Sequence, residues 1–293
     1  LVRRAAAKEN SGGGPAMNRW QLHCQDNWLK EAKPSRVCWP WENHSWERGL
    51  CRAGRKHGVH TLGYQHTVVG PHQINYSTRT NPDGLDSIPE IVICDGPAYR
   101  DEVAAWGVPD DRLIVGGAFR FKRFAPGSHD PSGPVFVPLS AVPAAAQKQI
   151  EAAHLLAASG QKVLVKGHPM YPVAFSEIEN LSRTETPLTE QAGLSAVLFC
   201  TGTSGLEAVL MGLPAYRLML DDRIAIDILP ANINVPSVTL DDVTEQVTGK
   251  VPIRPVNWDS ALTEPDINLW HSLLFGDMHA MNDVQEPEKK QVS

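Results

Sequence analysis

The sequence has no stretch of about 18 consecutive apolar residues, the length that a membrane-spanning helix needs. It also has no surplus of basic residues, since 27 Lys and Arg stand against 33 Asp and Glu and give a net charge of −6 at pH 7. Proteins that bind the phosphates of nucleic acids usually carry a basic surplus. The sequence therefore predicts a protein without membrane spans and disfavours a nucleic-acid partner.

Cysteines are few, odd in number and widely spaced, at positions 24, 38, 51, 94 and 200. None forms a CxxC pair, which argues against a zinc knuckle and against a disulfide scaffold. We therefore expect a reducing compartment, the cytoplasm. The chain starts at Leu1 without an initiator Met or a signal-peptide pattern, and we expect it to be a fragment of a longer protein.

The length of 293 residues suits two domains of ordinary size. From residue 36 onward, short apolar strands alternate with helices, which is typical of parallel α/β sheets of the Rossmann type. The Pro- and Gly-rich segment Ala125–Pro134 predicts a domain boundary. The predicted organisation is a flexible or helical segment 1–35, a Rossmann-like domain 36–124, a second Rossmann-like domain 135–265, and a C-terminal helix and tail 266–293.

A Lys-Gly-His-Pro motif follows the predicted strand that ends at Lys166. Pro169 disfavours a helical conformation for His168, so the chain leaves the sheet in extended form. Open α/β sheets bind ligands at the carboxyl ends of their strands. His168 could there donate a proton or a hydrogen bond to a leaving phosphate, with Lys166 supplying a positive charge. The alternative is a structural histidine in a strand-to-loop turn.

A second motif, Thr201-Gly202-Thr203-Ser204-Gly205, joins a buried strand to a helix through small and hydroxyl-bearing residues. The glycines allow a ligand to approach the backbone, and Thr203 or Ser204 can cap the helix, which favours an anion site. The spacing fits neither the Walker motif nor GxGxxG, and an ordinary capped turn is the alternative. Together, the two motifs predict binding of a nucleotide-linked substrate without a metal ion.

Acidic and imidazole side chains follow the strands of the first half. Glu42, flanked by tryptophans, could be desolvated and act as a base or nucleophile. His66 ends the next strand and would lie near Glu42 if the two strands are neighbours. Asp95 ends a third strand and supplies another acid at the same edge.

Three further residues of this half are candidates for contact with a sugar or acceptor. His44 and Gln65 belong to the same loops as Glu42 and His66. Arg120 follows the last strand and can pair with a carboxylate or a phosphate, although a surface arginine is the alternative.

The runs WPWENHSWERGL, HTLGYQHTVV and PEIVICDG together resemble bacterial surface-carbohydrate glycosyltransferases of the capsule and O-antigen type. The segments KGHP and TGTSGLEAVLMGLP are similar to the His-Pro and Ser/Thr motifs of enzymes that use cytidine monophosphate (CMP) sugars. Those enzymes include bacterial sialyltransferases and the transferases of 3-deoxy-manno-octulosonic acid (Kdo). The resemblance covers residues 36–240.

The resemblance implies a GT-B fold, in which the C-terminal domain binds the donor and the N-terminal domain binds the acceptor. The His-Pro role falls on His168 and Pro169, and the Ser/Thr role on Thr203 and Ser204. Glu42 becomes the first candidate for the acidic catalytic group, with His66 and Asp95 after it. Because the first half shows few strands for such a domain, we expect its amino-terminal part to be missing from this chain.

The predicted activity is transfer of an acidic sugar, Kdo or a sialic-acid-like residue, from a CMP donor to a surface polysaccharide or lipopolysaccharide. No cofactor and no metal are expected, and the partners are the nucleotide sugar and a glycan or glycolipid acceptor. The resemblance also implies a cytoplasmic enzyme in peripheral contact with the inner membrane. The alternatives are a teichoic-acid-type phosphotransferase using a cytidine diphosphate polyol, a sugar 2-epimerase, and a non-catalytic nucleotide-binding assembly module.

Overall fold

The computed structural model describes residues 11–220, 227–248 and 256–276, together with Arg3, Arg4 and Ala7. In this part of the chain, strands and helices alternate from residue 36 onward. The strands are β1 Arg36–Pro40, β2 His60–Gln65, β3 Ile91–Cys94, β4 Leu113–Val115, β5 Val135–Pro138, β6 Val163–Lys166, β7 Leu181–Arg183, β8 Ala196–Phe199, β9 Ala215–Leu218 and β10 Ser237–Val238. The helices are α1 Gly14–Ala32, α2 Ser45–His57, α3 Pro97–Ala105, α4 Pro143–Ala158, α5 Ser204–Leu210, α6 Val243–Thr248, α7 Trp258–Ala261 and α8 Ile267–Phe275.

The described residues form two parallel sheets flanked by helices, as the sequence predicts. The first sheet has the order β1-β2-β3-β4, so each strand pairs with the next one along the chain. Arg36 pairs with His60 and Leu62 with Ile91 in the parallel register. Strand β3 is apolar and buried at every position, which is typical of a parallel strand covered on both faces. Because the strands are parallel, their carboxyl ends and following loops lie at one edge.

The last described helix, α8, packs on the first sheet. Trp270 and Leu273 join a core cluster with Leu62, Ile91 and Ile93. The Trp270 indole N–H also donates a hydrogen bond of 2.9 Å to the carbonyl of Gly116. The structure thus assigns α8 to the first unit rather than to a separate segment 266–293. The predicted tail lies outside the described residues, which end at residue 276.

The second sheet has the order β10-β9-β8-β5-β6-β7. Strands β6 and β7 extend it on one side of β5, and β8, β9 and β10 extend it on the other. This arrangement is the doubly wound Rossmann topology, whose strand order reverses between β5 and β8. Helix α4 covers the sheet through small buried residues such as Ala146 and Ala153, which let helix and sheet approach closely. The reversal point is therefore the expected ligand site of this unit.

The described chain divides into two compact units. The first holds the residues up to Thr67, Ile74–Arg120 and the residues from Leu262, and the second holds Val68–Gln73 and Phe121–Ala261. The predicted boundary segment 125–134 does not separate the two units, because it lies within the second unit and is hydrogen-bonded to it. Its Gly127 and Asp130 N–H groups donate hydrogen bonds to the carbonyls of Met211 and Leu194. No helix in the described ranges has the length and apolar character that crossing a membrane requires.

The contact between α5 and β8 yields a stability prediction. A methyl group on Gly205 would overlap the buried ring of Phe199. We expect Gly205→Ala to lower the free energy of unfolding by about 1–3 kcal/mol, the usual cost of overpacking a tight core. Urea unfolding followed by circular dichroism measures this change. The matched control is Gly167→Ala, where the new methyl would meet only the Arg183 guanidinium at 3.8 Å; equal losses in both variants would contradict the packing argument.

Candidate functional site

The loop that carries Glu42 is fixed by buried hydrogen bonds. After β1, the Trp41 N–H donates to the carbonyl of Tyr64 at 2.7 Å. Asn43 adopts a left-handed conformation with φ of 58°, which asparagine tolerates better than most residues. The Glu47 carboxylate then accepts the backbone N–H groups of Glu42 at 2.9 Å and Asn43 at 2.7 Å. Burial raises the pKa of Glu47. Glu47 therefore shapes this loop, a role that the sequence analysis did not single out.

Glu42 lies between two imidazoles. Its Oε2 atom is 2.8 Å from Nε2 of His44, and its Oε1 atom is 3.7 Å from Nε2 of His66. The parallel pairing of β1 with β2 brings Glu42 and His66 together, as the sequence analysis expected for neighbouring strands. The Glu42 side chain is about one-third exposed, at 36%. A half-buried carboxylate with two imidazole neighbours can accept a proton and pass it on.

Asp95 ends β3 and is fully buried. Neither oxygen of its carboxylate has a hydrogen-bond partner of good geometry among the described residues. Burial raises the pKa of Asp95 to about 7, although the Tyr64 hydroxyl and the positive charge of Arg120 both act to lower it. A buried acid with unpaired oxygens is rare in folded proteins, so Asp95 is a candidate functional group.

Gln65 has a structural task at the same edge. It has no exposed surface, and its side-chain carbonyl accepts the Asp95 N–H at 3.1 Å. Its side-chain amide donates a hydrogen bond to the carbonyl of Thr67. A side chain without exposed surface presents no atom to a ligand, so Gln65 positions the ends of β2 and β3 and does not match its predicted role in sugar binding. His44 and Arg120, the other two candidates, are exposed.

In the second unit, two hydroxyl groups meet where the strand order reverses. Ser140 follows β5 and Thr201 follows β8, and their side-chain oxygens are 2.6 Å apart. The buried Gln149 of α4 fixes Ser140, because its carbonyl accepts the Ser140 N–H at 2.8 Å and its amide donates to the carbonyl of Pro138 at 2.8 Å. The sequence analysis missed Ser140 and Gln149. A polar Gln149 on the buried face of an alanine-rich helix was the available signal.

The Thr201–Gly205 turn differs in one respect from its predicted form. Thr203 precedes helix α5, but its side chain makes no capping hydrogen bond. The reason is its helical backbone conformation, with φ of −64° and ψ of −19°, where a capping residue is normally extended. The Thr203 and Ser204 hydroxyls make no hydrogen bond with any described residue. Gly202, with φ of 131°, holds a conformation that favours glycine.

The Lys-Gly-His-Pro motif follows β6 at the same edge of this sheet. The Lys166 ammonium donates a hydrogen bond of 2.7 Å to the carbonyl of Glu185. The His168 Nδ1 atom accepts the Met170 N–H at 3.3 Å, and the His168 ring packs against Tyr171 with centroids 5.6 Å apart. The other ring nitrogen of His168 has no partner among the described residues and can face a ligand. Pro169 is exposed.

Within the described ranges, no group of three His, Cys, Asp or Glu side chains is arranged to hold a metal ion. That the protein acts on its nucleotide-linked substrate without a metal ion, as the sequence analysis expected, stays a prediction.

No family profile matches the sequence, and no curated protein matches it. Among solved structures, UDP-GlcNAc 2-epimerase from Neisseria meningitidis bound to UDP-GlcNAc matches with a TM-score of 0.54 and 11% identity, over 88% of this chain and 81% of that one. The glycosyltransferase of kitacinnamycin matches with a TM-score of 0.50 and 12% identity, over 78% and 71% of the two chains. UDP-N-acetylglucosamine 2-epimerase from Rickettsia bellii gives a TM-score of 0.45 and 14% identity over 68% of this chain, which spans 60% of that protein's length.

These matches define the class of fold. The chain has an α/β fold with two parallel Rossmann-type sheets, which matches glycosyltransferases and sugar epimerases of the GT-B kind. The prediction of a GT-B-like pair of Rossmann-type domains is therefore confirmed.

The buried Asp95 yields a prediction for the pH dependence of stability. Between pH 3.8 and about 7, the folded protein retains a proton on Asp95 that the unfolded chain has released, so stability falls as the pH rises through this window. At about 1.4 kcal/mol per pKa unit, the loss from pH 5 to pH 8 is about 2–3 kcal/mol. Asp95→Asn should remove that part of the pH dependence, as measured by urea unfolding at both pH values. The control is Asp101→Asn at an exposed site; identical pH profiles for the wild type and Asp95→Asn would contradict the prediction.

Proposed function

We propose that the chain is a glycosyltransferase that takes a sugar from a nucleotide donor and transfers it to a glycan. One observation carries the proposal: the hydroxyl-lined turn at the reversal point of the doubly wound second sheet. Ligands of open α/β sheets bind at such points, outside the carboxyl ends of the strands. Ser140 and Thr201 meet there, and the Thr203 and Ser204 hydroxyls make no hydrogen bond with any described residue.

The donor's phosphate would bind at this turn. Hydroxyl groups and the backbone around Gly202 can donate hydrogen bonds to phosphate oxygens without a metal ion. His168, at the end of the adjacent strand β6, would donate a hydrogen bond or a proton to the leaving phosphate, and Lys166 would add positive charge. Both motifs therefore act on the nucleotide half of the donor.

The sequence resemblance favours a CMP donor with an acidic sugar, Kdo or sialic-acid-like. The Neisseria epimerase binds UDP-GlcNAc, so a uridine nucleotide is the competing donor. The acceptor would be a surface polysaccharide or lipopolysaccharide precursor, which the enzyme would meet on the cytoplasmic face of the inner membrane.

Glu42 is the proposed catalytic acid–base group. As a base, its carboxylate would take the proton of the acceptor hydroxyl while that oxygen bonds to the anomeric carbon of the donor sugar. The bond from the anomeric carbon to phosphate breaks, and its electron pair stays on the phosphate. As a nucleophile, Glu42 would instead bond to the anomeric carbon as the bond to phosphate breaks. The acceptor oxygen would then displace the Glu42 carboxylate from that carbon and lose its proton to a neighbouring imidazole. In either role, His44 and His66 orient the carboxylate, and in the base role they can take the proton from it.

Nucleotide binding tests the donor site. We expect CMP to bind the purified chain and His168→Ala to weaken that binding about tenfold, because a hydrogen bond to a charged phosphate is lost. Calorimetric titration with CMP, UMP, UDP and GMP measures affinity and base preference together.

The matched control is His154→Ala, because His154 lies toward the far end of α4, which runs back from the carboxyl edge of the sheet. Selective binding of uridine nucleotides would contradict the proposal of a CMP donor but would still support a nucleotide site in the second unit. Absence of nucleotide binding, or binding that is indifferent to His168, would overturn the proposed donor site.

Turnover tests Glu42. We expect Glu42→Gln to lower the rate of CMP release from CMP-sialic acid or CMP-Kdo by about 10²–10⁴-fold, because the amide can neither accept a proton nor attack carbon. CMP affinity should stay unchanged, because Glu42 is proposed to act on the donor sugar and the acceptor, which CMP lacks.

Glu90→Gln is the control, because Glu90 forms a similar pair with His60, at 2.8 Å, at the amino-terminal end of the strands. Equal rates for Glu42→Gln and the wild type would exclude Glu42 as the acid–base group. If UDP-GlcNAc without acceptor instead exchanges its C2 hydrogen for deuterium, the activity is epimerisation. Nucleotide binding without turnover of either donor would identify a non-catalytic module.

A further inference from the structure

Three aromatic rings of the first unit stand edge to face in one cluster. Tyr64 lies 5.9 Å from Phe119 and 5.2 Å from Trp270, and Phe119 lies 5.3 Å from Trp270, between ring centroids. The interplanar angles of 64–84° are those that aromatic quadrupoles favour. Tyr64 and Trp270 are mostly covered, but half of Phe119 is exposed. The cluster therefore presents one aromatic ring on a rigid aromatic base.

The loop that carries Phe119 is held firmly. Gly117 has φ of 88°, and a methyl group there would overlap the carbonyl of Glu264. The Ala118 N–H donates to the carbonyl of Thr263 at 2.8 Å, and the Phe119 N–H donates to the Tyr64 hydroxyl at 3.0 Å. An exposed ring on an ordinary surface loop would not need these ties. The ring is thus fixed before any ligand arrives.

A charged residue follows Phe119 directly in the sequence. Arg120, the next residue, is exposed, and its charge acts on both Tyr64 and Asp95. The buried Asp95 carboxylate has unpaired oxygens on the same side of the sheet, where β2, β3 and β4 end. An exposed aromatic ring followed by an exposed arginine suits a pyranose ring, which has an apolar face of C–H bonds and a rim of hydroxyl groups.

We propose that Phe119 and Arg120 form a binding subsite for a pyranose residue of the acceptor glycan, with Tyr64 as a positioning residue. The apolar face of the sugar packs on the Phe119 ring, and the Arg120 guanidinium donates hydrogen bonds to the sugar hydroxyls. The Tyr64 hydroxyl holds the Phe119 backbone. The assignment of this sugar to the acceptor rests on the proposed function.

Ligand-observed NMR titration of the whole chain tests the subsite without any donor. The probes are the methyl glycosides of glucose, galactose and N-acetylglucosamine at millimolar concentration. We expect at least one to bind the wild type and Phe119→Ala to weaken it about tenfold, while Phe119→Trp restores binding. The matched control is Phe275→Ala, which removes another exposed phenylalanine of the same unit and should leave binding unchanged.

Three further variants, at two positions, separate positioning from general destabilisation. Arg120→Ala should weaken glycoside binding, and Arg120→Lys should recover part of it. Tyr64→Phe keeps the ring of the cluster and deletes only the hydroxyl that accepts the Phe119 N–H. It should lower glycoside affinity about threefold, a small effect of the size expected for one neutral hydrogen bond, and leave CMP affinity as in the wild type. A loss of both affinities would indicate a structural role and contradict the positioning role.

The subsite and the proposed function fail in different experiments. If no glycoside binds the wild type, or if Phe119→Ala binds as the wild type does, the subsite is wrong even when Glu42 proves essential for turnover. If glycosides bind through Phe119 but no nucleotide binds, the proposed function is wrong and the sugar subsite stands.

Discussion

Parallel pairing of neighbouring strands is the constraint on which the rest of the molecule depends. Because β1, β2 and β3 run in one direction, the loops that follow them open at one edge, and Glu42, His66 and Asp95 share that edge. The second sheet obeys the same rule with a reversal between β5 and β8, which brings Ser140 and Thr201 within 2.6 Å. A polar residue that directly follows a strand therefore lies at the carboxyl edge of its sheet, where open α/β sheets bind ligands.

Buried polar side chains fix the conformations of the loops at these edges by hydrogen bonding to the backbone. Glu47 accepts two backbone N–H groups of the loop after β1, and Gln65 accepts the Asp95 N–H at the end of β3. Gln149 accepts the Ser140 N–H in the loop after β5. A buried backbone N–H or carbonyl without a partner costs free energy, so these side chains stabilise loop conformations that the backbone alone would not keep. Asp95 is the contrast, because the fold buries its carboxylate and no described residue forms a hydrogen bond of good geometry with either oxygen.

The two candidate sites differ in chemistry. The first unit offers a carboxylate between imidazoles and, at the same sheet edge, the exposed ring of Phe119 followed by Arg120. The second unit offers hydroxyls, a glycine turn and a histidine. The first set suits proton transfer and contact with a sugar, and the second suits a phosphate. This division agrees with an enzyme that binds a nucleotide and a glycan through different units.

Local sequence determined the regular elements and the loops that carry chemistry. Short apolar runs alternating with helices predicted the two parallel sheets, and Pro169 and Gly202 marked two loops correctly. The short strands β7 and β10 were missed because two or three residues carry too little pattern to distinguish a strand from a loop. Only the tertiary structure could assign α8 to the first unit, bury Gln65, and join Phe119 to Trp270, because these depend on contacts between residues far apart in the chain. Sequence determined which groups follow each strand, and long-range packing decided which of them are buried, paired or exposed.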